Sequence, residues 1–232
     1  MKKSNRIIIG ILAFLIFMIS ILGAVSTSIF ELDFYTKTQE KYEVAQNMDI
    51  TQKAVTEATM VALLYTKGHS SKLSYIIEEN GNEIDLYSTQ DKEHMLDVKN
   101  LYYGMYYTLV TTAVLIFITL IVLFFKRKEV NVFGLTLLIN QVSMYTLIFV
   151  GIIALFAFIN FDQFWVMFHK VFFRNDLWLM NPNQDALVNL FPEGLFMDLV
   201  YRIITRFAII FGSVNLSAFL YRAHSLRRIK ND

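Results

Sequence analysis

The 232-residue chain contains no cysteine. That excludes a disulfide framework, a thiol nucleophile, a cysteine-ligated metal and a lipidated lipobox cysteine. Proline is nearly absent: Pro182 and Pro192 are the two present, and both fall within residues 161–196. Tryptophan is as scarce, and Trp165 and Trp178 lie in the same stretch. The sequence has no Gly-rich phosphate loop, no HExxH and no GxSxG. Phosphate-cradling, zincin and serine-hydrolase chemistry therefore lack their motif, and no cofactor is expected. The net charge is only +1, so nothing suggests a nucleic-acid partner. Internal repeats and low-complexity tracts are also absent.

What the chain has instead is apolar length. It is 55% hydrophobic and 15% aromatic, a composition that reads as a mainly α, polytopic membrane protein. The first apolar run has a 19-residue core over 7–25 and follows Lys2, Lys3 and Arg6. That core is longer than the 7–15 residues of a signal peptide, so an uncleaved membrane helix is expected over about 7–30. The second span, about 103–125, is entered through Tyr102, Tyr103, Tyr106 and Tyr107 and closed by Lys126-Arg127-Lys128. Its apolar part, 105–125, covers about 31 Å, enough for the hydrocarbon core. A third span is expected over about 133–159 and carries Asn140, Gln141, Ser143 and Thr146, which can hydrogen-bond to neighbouring helices. The fourth is expected over about 199–221. One membrane domain with two polar insertions, 31–102 and 160–198, accounts for the whole chain.

Charge sets the expected orientation. The amino terminus, the 126–130 loop and the carboxyl tail hold ten Lys/Arg, whereas the two long polar segments hold nine and carry 18 of the 20 acids. The positive-inside rule then places both termini in the cytoplasm and both insertions outside. Four spans require both termini on one side, so the two lines of reasoning agree.

The first insertion is expected to hold a small α+β unit. Asp49-Ile50-Thr51-Gln52 resembles an aspartate cap with glutamine three positions on, and Ile50, Ala54, Ala58, Val61 and Tyr65 recur at helical spacing. Asn80-Gly81, between short β-prone runs, predicts a hairpin that must pack on a neighbour to persist. A further helix is expected from about Thr89. With no glycine or proline over 90–100, it should run unbroken into the second span.

Residues 161–196 are too polar to cross a bilayer and too aromatic for an ordinary water-exposed loop. Phe161, Phe164, Trp165, Phe168 and Phe172 are spaced as on an amphipathic helix in the membrane interface. His169 lies on it, with Trp165 and Phe173 four residues to either side. His94 lies two to three turns before the second span, with Asp97 three residues on and able to orient its ring. Topology puts both histidines on the outer side at similar depth, so a functional pair is expected. His69, in a polar turn, and His224, among basic residues, read as solvated. Asp198, Arg202 and Arg206 share one helix face. They form either an Asp198–Arg202 pair with Arg206 snorkelling, or a site for a lipid phosphate, carboxylate or carbonyl.

Imidazoles suit general acid–base work near neutral pH. With no activated thiol or hydroxyl, direct attack by the substrate's own nucleophile is favoured over an acyl-enzyme. A zinc site built from the two histidines with Asp97, Asp162, Asp176 or Glu193 is the rival, as in a metal-dependent membrane hydrolase, but no ligand spacing supports it. A non-enzymatic sensor or binding protein is the other competing class.

The order of these features resembles the Lit family, the lipoprotein intramolecular transacylases of Gram-positive bacteria. The resemblance rests on Glu93-His94-Met95-Leu96-Asp97-Val98 before the second span. After the third come Phe168-His169-Lys170-Val171-Phe172-Phe173-Arg174-Asn175-Asp176-Leu177-Trp178, Asn181-Pro182-Asn183-Gln184-Asp185 and Leu190-Phe191-Pro192-Glu193. It implies a multi-pass enzyme of the bacterial cell membrane whose active site faces outward among membrane lipids. Its substrate would be a diacylglyceryl lipoprotein, whose sn-2 acyl chain moves to the α-amine of its own amino-terminal cysteine and leaves the lyso form. His94 and His169 would be catalytic. Asp97, Arg202, Arg206, Trp165 and Trp178 would orient groups, bind substrate or stabilise the oxyanion.

Overall fold

The computed structural model describes residues 3–79, 81–127 and 132–231, with side chains over 5–78, 81–127 and 134–224. The expected turn residue Asn80 and the flanking Lys2, Lys3, Lys128, Arg227, Arg228 and Lys230 side chains lie outside this description. In chain order the elements are α1 (Lys3–Ser28), α2 (Leu32–Lys41), α3 (Val44–Asn47), α4 (Gln52–Lys67), β1 (Ile76–Glu79), β2 (Asn82–Asp85), α5 (Thr89–Phe125), α6 (Val132–Ile159), α7 (Phe161–Phe172), α8 (Ala186–Leu190) and α9 (Glu193–Asn231). The fold is mainly helical with one small hairpin. Four helices among the described residues are long and apolar enough to cross a membrane: Asn5–Ser28, Thr89–Phe125, Gly134–Ile159 and Glu193–His224.

The chain divides into two compact units. One comprises Met1–Ser26, Tyr106–Ile159 and Ile203–Asp232. Its buried residues include apolar clusters together with the polar Asn5, Ser20, Thr112, Thr136 and Ser143. Ile9 and Ala13 pack with Ile139, and Ala24 packs with Phe207 and Phe211. Phe17 meets both of those rings edge-on, at 6.0 and 6.2 Å. Most other apolar side chains here point outward; Phe125 is 80% exposed and Ile159 72%. In water such a surface would aggregate, whereas in hydrocarbon it is the solvated state.

The other unit comprises Thr27–Met105 and Asn160–Arg202. Its core joins Val44, Val55, Ala58, Ala62, Tyr65, Tyr87 and Met95 to Ala186, Leu187 and Leu190. The buried stripe of α4 runs through Val55, Ala58, Thr59, Ala62, Tyr65 and Thr66; the expected Ala58 and Tyr65 lie on it, while Ala54 and Val61 are half-buried at its edge. The cap is Thr51, which accepts from the Ala54 N–H at 3.1 Å, while Asp49 sits at φ 53° in the turn before it.

The hairpin pairs Ile76 with Asp85 through to Glu79 with Asn82, and Gly81 takes φ 78°, as a two-residue turn demands. It is held to α4 and α5 by polar side chains. Tyr75 donates to Glu57 at 2.8 Å, Tyr87 donates to the Ala58 carbonyl at 2.7 Å, and Lys92 bridges Asp85 at 2.8 Å.

Gly68 ends α4 at φ 83°, and its backbone N–H closes on the Tyr65 carbonyl. A Cβ at that position would run into the Tyr103 hydroxyl. Gly68→Ala should therefore lower stability by about 1–3 kcal/mol, read as a lower thermal midpoint in detergent. Gly68→Ala/Tyr103→Phe should recover the steric part and keep the backbone part. Full recovery would show that φ carries no strain here.

Candidate active site

α7 starts because the Asn160 side chain accepts from the Gln163 N–H at 3.1 Å, and it ends where Phe173 turns into extended backbone. Along its inner face, Trp165 stacks between Phe168 at 5.2 Å and Phe196 at 4.3 Å. His169, one turn on, is only 7% exposed. Its ring meets Trp165 edge-on at 4.6 Å and stacks on Trp178 at 4.9 Å.

His94, in the polar first turns of α5 ahead of the apolar stretch, is 8% exposed. The two imidazoles stand 6.1 Å apart, inclined by 29°, although 75 positions separate them in sequence. Phe173 closes one side, 5.0 Å from His94 and 5.6 Å from His169.

The hydrogen bonds differ between the rings. His169 Nδ1–H donates to the Trp165 carbonyl at 2.8 Å. A carbonyl can only accept, so Nε2 of neutral His169 bears the lone pair. His94 Nδ1 is buried and finds no hydrogen-bond partner among the described residues. Such an atom costs about 1–3 kcal/mol and calls for an explanation. Burial pushes the pKa of His94 down to about 4; proximity to His169 adds to this and the Asp97 carboxylate opposes it. Burial also lowers the pKa of His169, against the bond to Trp165. Both rings are therefore neutral at pH 7. Together they offer proton acceptors and donors inside an aromatic box.

The remaining expected residues divide. Asp97 Oδ2 accepts from Asn175 Nδ2 at 2.8 Å, so the carboxylate reaches His94 through its field only. Asp198 pairs with Lys41 at 2.7 Å and with Tyr42, while Arg202 pairs with Glu31 and lies over the Phe34 ring. The four-residue spacing of Asp198 and Arg202 thus yields two bonds to the α2 region. Arg206 falls in the other unit, half-buried. His69 and His224 are exposed. The Asp162 and Glu193 carboxyls hydrogen-bond to each other. Among the described residues no three His, Asp or Glu side chains converge on a metal position.

Sequence spacing missed Gln90, Asp91 and Asn175. Gln90 Nε2 donates to the carbonyls of Leu177 and Leu179, flanking Trp178. Asp91 and Asn175 likewise bond across more than 75 positions. No local pattern announces such partners.

Four helices long and apolar enough to cross a membrane, with a buried pair of neutral histidines in the sequence order expected, define a polytopic membrane protein. A model of the family described as lipoprotein intramolecular transacylase Lit matches residues 10–196. The chain belongs to the Lit family, and is an enzyme of that family. The solved structure of Lit from Bacillus cereus is similar in fold, with a TM-score of 0.79 at 21% identity over 97% of this chain and 98% of that one. A variant of it carrying a histidine-to-arginine mutation gives 0.74 at 21%, over 97% and 94%. A histidine-to-alanine variant gives 0.71 at 19%, over 99% and 96%. At these identities the likeness speaks for the fold. No curated protein sequence matches.

The depressed pKa of His94 has a thermodynamic consequence. Between about pH 4 and the ordinary 6.5 the unfolded chain binds a proton that the folded chain excludes, so stability falls as pH drops through that window and is flat above it. Thermal midpoints from pH 4.5 to 8, compared between wild type and His94→Phe, should diverge below about pH 6.5. Parallel curves would mean that His94 does not titrate abnormally.

Proposed function

We propose that the chain moves the sn-2 acyl chain of a diacylglyceryl lipoprotein to the α-amine of that lipoprotein's own amino-terminal cysteine, with His94 and His169 as the proton-transfer groups. The observation that carries this reading is the stacked imidazole pair: two buried neutral rings 6.1 Å apart, one with its tautomer fixed and one with an unpartnered nitrogen. The amine nitrogen attacks the ester carbonyl, an N–C bond forms, and the ester C–O bond breaks. One proton leaves nitrogen and one arrives on the glycerol oxygen, so no water is consumed and no acyl-enzyme is needed. Any proton that His169 takes arrives at Nε2, because Nδ1–H is engaged.

Trp165 and Trp178 hold the His169 ring in place, and Asp97 tunes His94. Arg206 is assigned to lipid or substrate carbonyl groups near the fourth span, whereas Arg202, held by Glu31, serves to position the start of that helix. Nucleophile and electrophile belong to one molecule, so orientation supplies much of the rate. The charge distribution supports a site on the outer face of the bacterial cell membrane, with both termini inside and insertions 31–102 and 160–198 outside a single four-span domain.

The test expresses wild type, His94→Ala and His169→Ala in a host that makes only diacyl lipoproteins, and reads lipoprotein amino termini by mass spectrometry. Wild type should convert free amines to N-acyl lyso forms. Each alanine variant should slow conversion by ~10²-fold or more. Free amines with wild type would sink the reaction assignment. Unimpaired transfer by both folded variants would sink the histidine assignment.

A further inference from the structure

Beside the imidazole pair, α5 and the chain leaving α7 border an open cleft of about 290 Å³. Asp97, Asn100, Leu101, Phe172, Phe173, Arg174 and Asn175 line it. Phe173 belongs to both places, since its ring also touches both histidines. Asp97 lies one turn beyond His94 on the same face of α5, so the cleft continues the line of the imidazoles. The proton transfers assigned to the two histidines make no use of Asn100, Arg174 or Asn175.

The polar walls have both signs, and part of them is fixed. Asn175 Nδ2 donates to Asp97 Oδ2, and Asn175 Oδ1 accepts from the Leu177 N–H at 3.2 Å, which sets the amide's orientation. Asp97 Oδ1 accepts no hydrogen bond from the described residues, and exposed Arg174 makes no ion pair with them. A carboxylate oxygen takes N–H groups, while a guanidinium and an amide give hydrogen bonds to carbonyls. Acceptors and donors in one cleft, with two phenylalanines also lining it, match a polypeptide main chain. A phosphate headgroup would meet the charge of Asp97. An acyl chain has no donor or acceptor to offer Asp97, Asn100 and Arg174. The volume falls just below the ~300–1,000 Å³ of small-molecule sites. At ~3.3–3.6 Å per extended residue, two residues of main chain span about 7 Å.

We infer that this cleft receives the main chain of the two residues following the modified cysteine of the lipoprotein substrate. The inference rests on the acyl-transfer reading above and gives it a docking site for the peptide end. Reading main chain rather than side chains lets one enzyme serve many lipoproteins. It also holds the amine beside the imidazoles, where the ester of the same molecule can reach it.

The test uses two unreactive diether lipopeptides, a dialkylglyceryl-cysteine amide and the same compound extended by two residues. Binding is measured by calorimetry on the full chain in detergent, for wild type, Arg174→Ala and Asn175→Ala. Wild type should bind the extended compound about tenfold more tightly, a gap of ~1.4 kcal/mol. In each variant that preference should shrink to about threefold or less. Equal affinities in wild type, no binding of either compound, or an unchanged preference in both variants would overturn the inference. Since the diethers cannot transfer a chain, the outcome is separable from the mass-spectrometric assay. A length preference without acyl transfer fails the reaction; acyl transfer without a length preference fails the cleft.

Discussion

Asp91 is fully buried, and its carboxylate accepts backbone N–H groups from Ser88 at 3.0 Å, Ala186 at 2.9 Å and Leu187 at 3.3 Å. The last two are the opening amides of α8, which any helix must satisfy. The residue at the cap position, Asp185, gives them no side-chain bond. It turns instead to the Ser88 hydroxyl and the Asn181 N–H, both at 2.7 Å. Asp91 therefore caps α8 from another helix. Next to it, Gln90 holds the carbonyls on either side of Trp178. One turn later comes His94, and Trp178 stacks on His169. The start of α5 thus binds the segment 177–187 in a fixed register, and that register carries one histidine's platform to the other histidine. Removing one partner of so buried a set leaves charge or amides unsatisfied, which costs more than the bonds are worth in isolation.

The same packing sets the electrostatics. The imidazoles are enclosed by Phe173, Trp165 and Trp178, whose rings offer contact area but few strong hydrogen-bond acceptors. An imidazolium there would lose its hydration and gain little, so the neutral form wins. The one good acceptor nearby, the Trp165 carbonyl, fixes the tautomer of His169 without making the ring a cation. Each aromatic pair adds about 0.5–1.5 kcal/mol beyond its area. The aromatic walls contributed by α7 and the segment after it thus set the protonation state, within the geometry that the start of α5 fixes.

Features governed by short-range rules were readable from the sequence. The apolar runs announce the four candidate spans, because hydrocarbon thickness fixes their length. Gly81 announces the hairpin, because its turn needs positive φ. The unbroken α5 follows from the lack of glycine and proline over 90–100. The meeting of His94 with His169 was readable only as a consequence of topology, and its distance was not. Where several local solutions compete, the spacing misled. Asp49 and Thr51 both suit a helix cap, and the threonine has it. Asp198 and Arg202 suit each other at i, i+4, but Lys41 and Glu31 take them. Bonds from Asp91 and Asn175 across more than 75 positions leave no periodic trace.

A pKa near 4 constrains what His94 can do in the proposed reaction. An α-ammonium ordinarily titrates at ~7.7–8.0, so taking its proton before attack would run about four pKa units uphill, ~5 kcal/mol. At pH 7 roughly a tenth of the amine is already neutral, which costs only ~1 kcal/mol. Attack by that fraction is the cheaper route. The nitrogen then becomes positively charged within the tetrahedral adduct and is a far stronger acid than the free ammonium. A weakly basic imidazole suffices to accept its proton, and the departing glycerol oxygen is basic enough to recover it. A ring with an ordinary pKa near 6.5 would spend part of its time as the cation at mildly acidic pH, unable to accept. Burial in the aromatic box thus trades base strength, which the late proton transfer does not need, for constant availability of the lone pair.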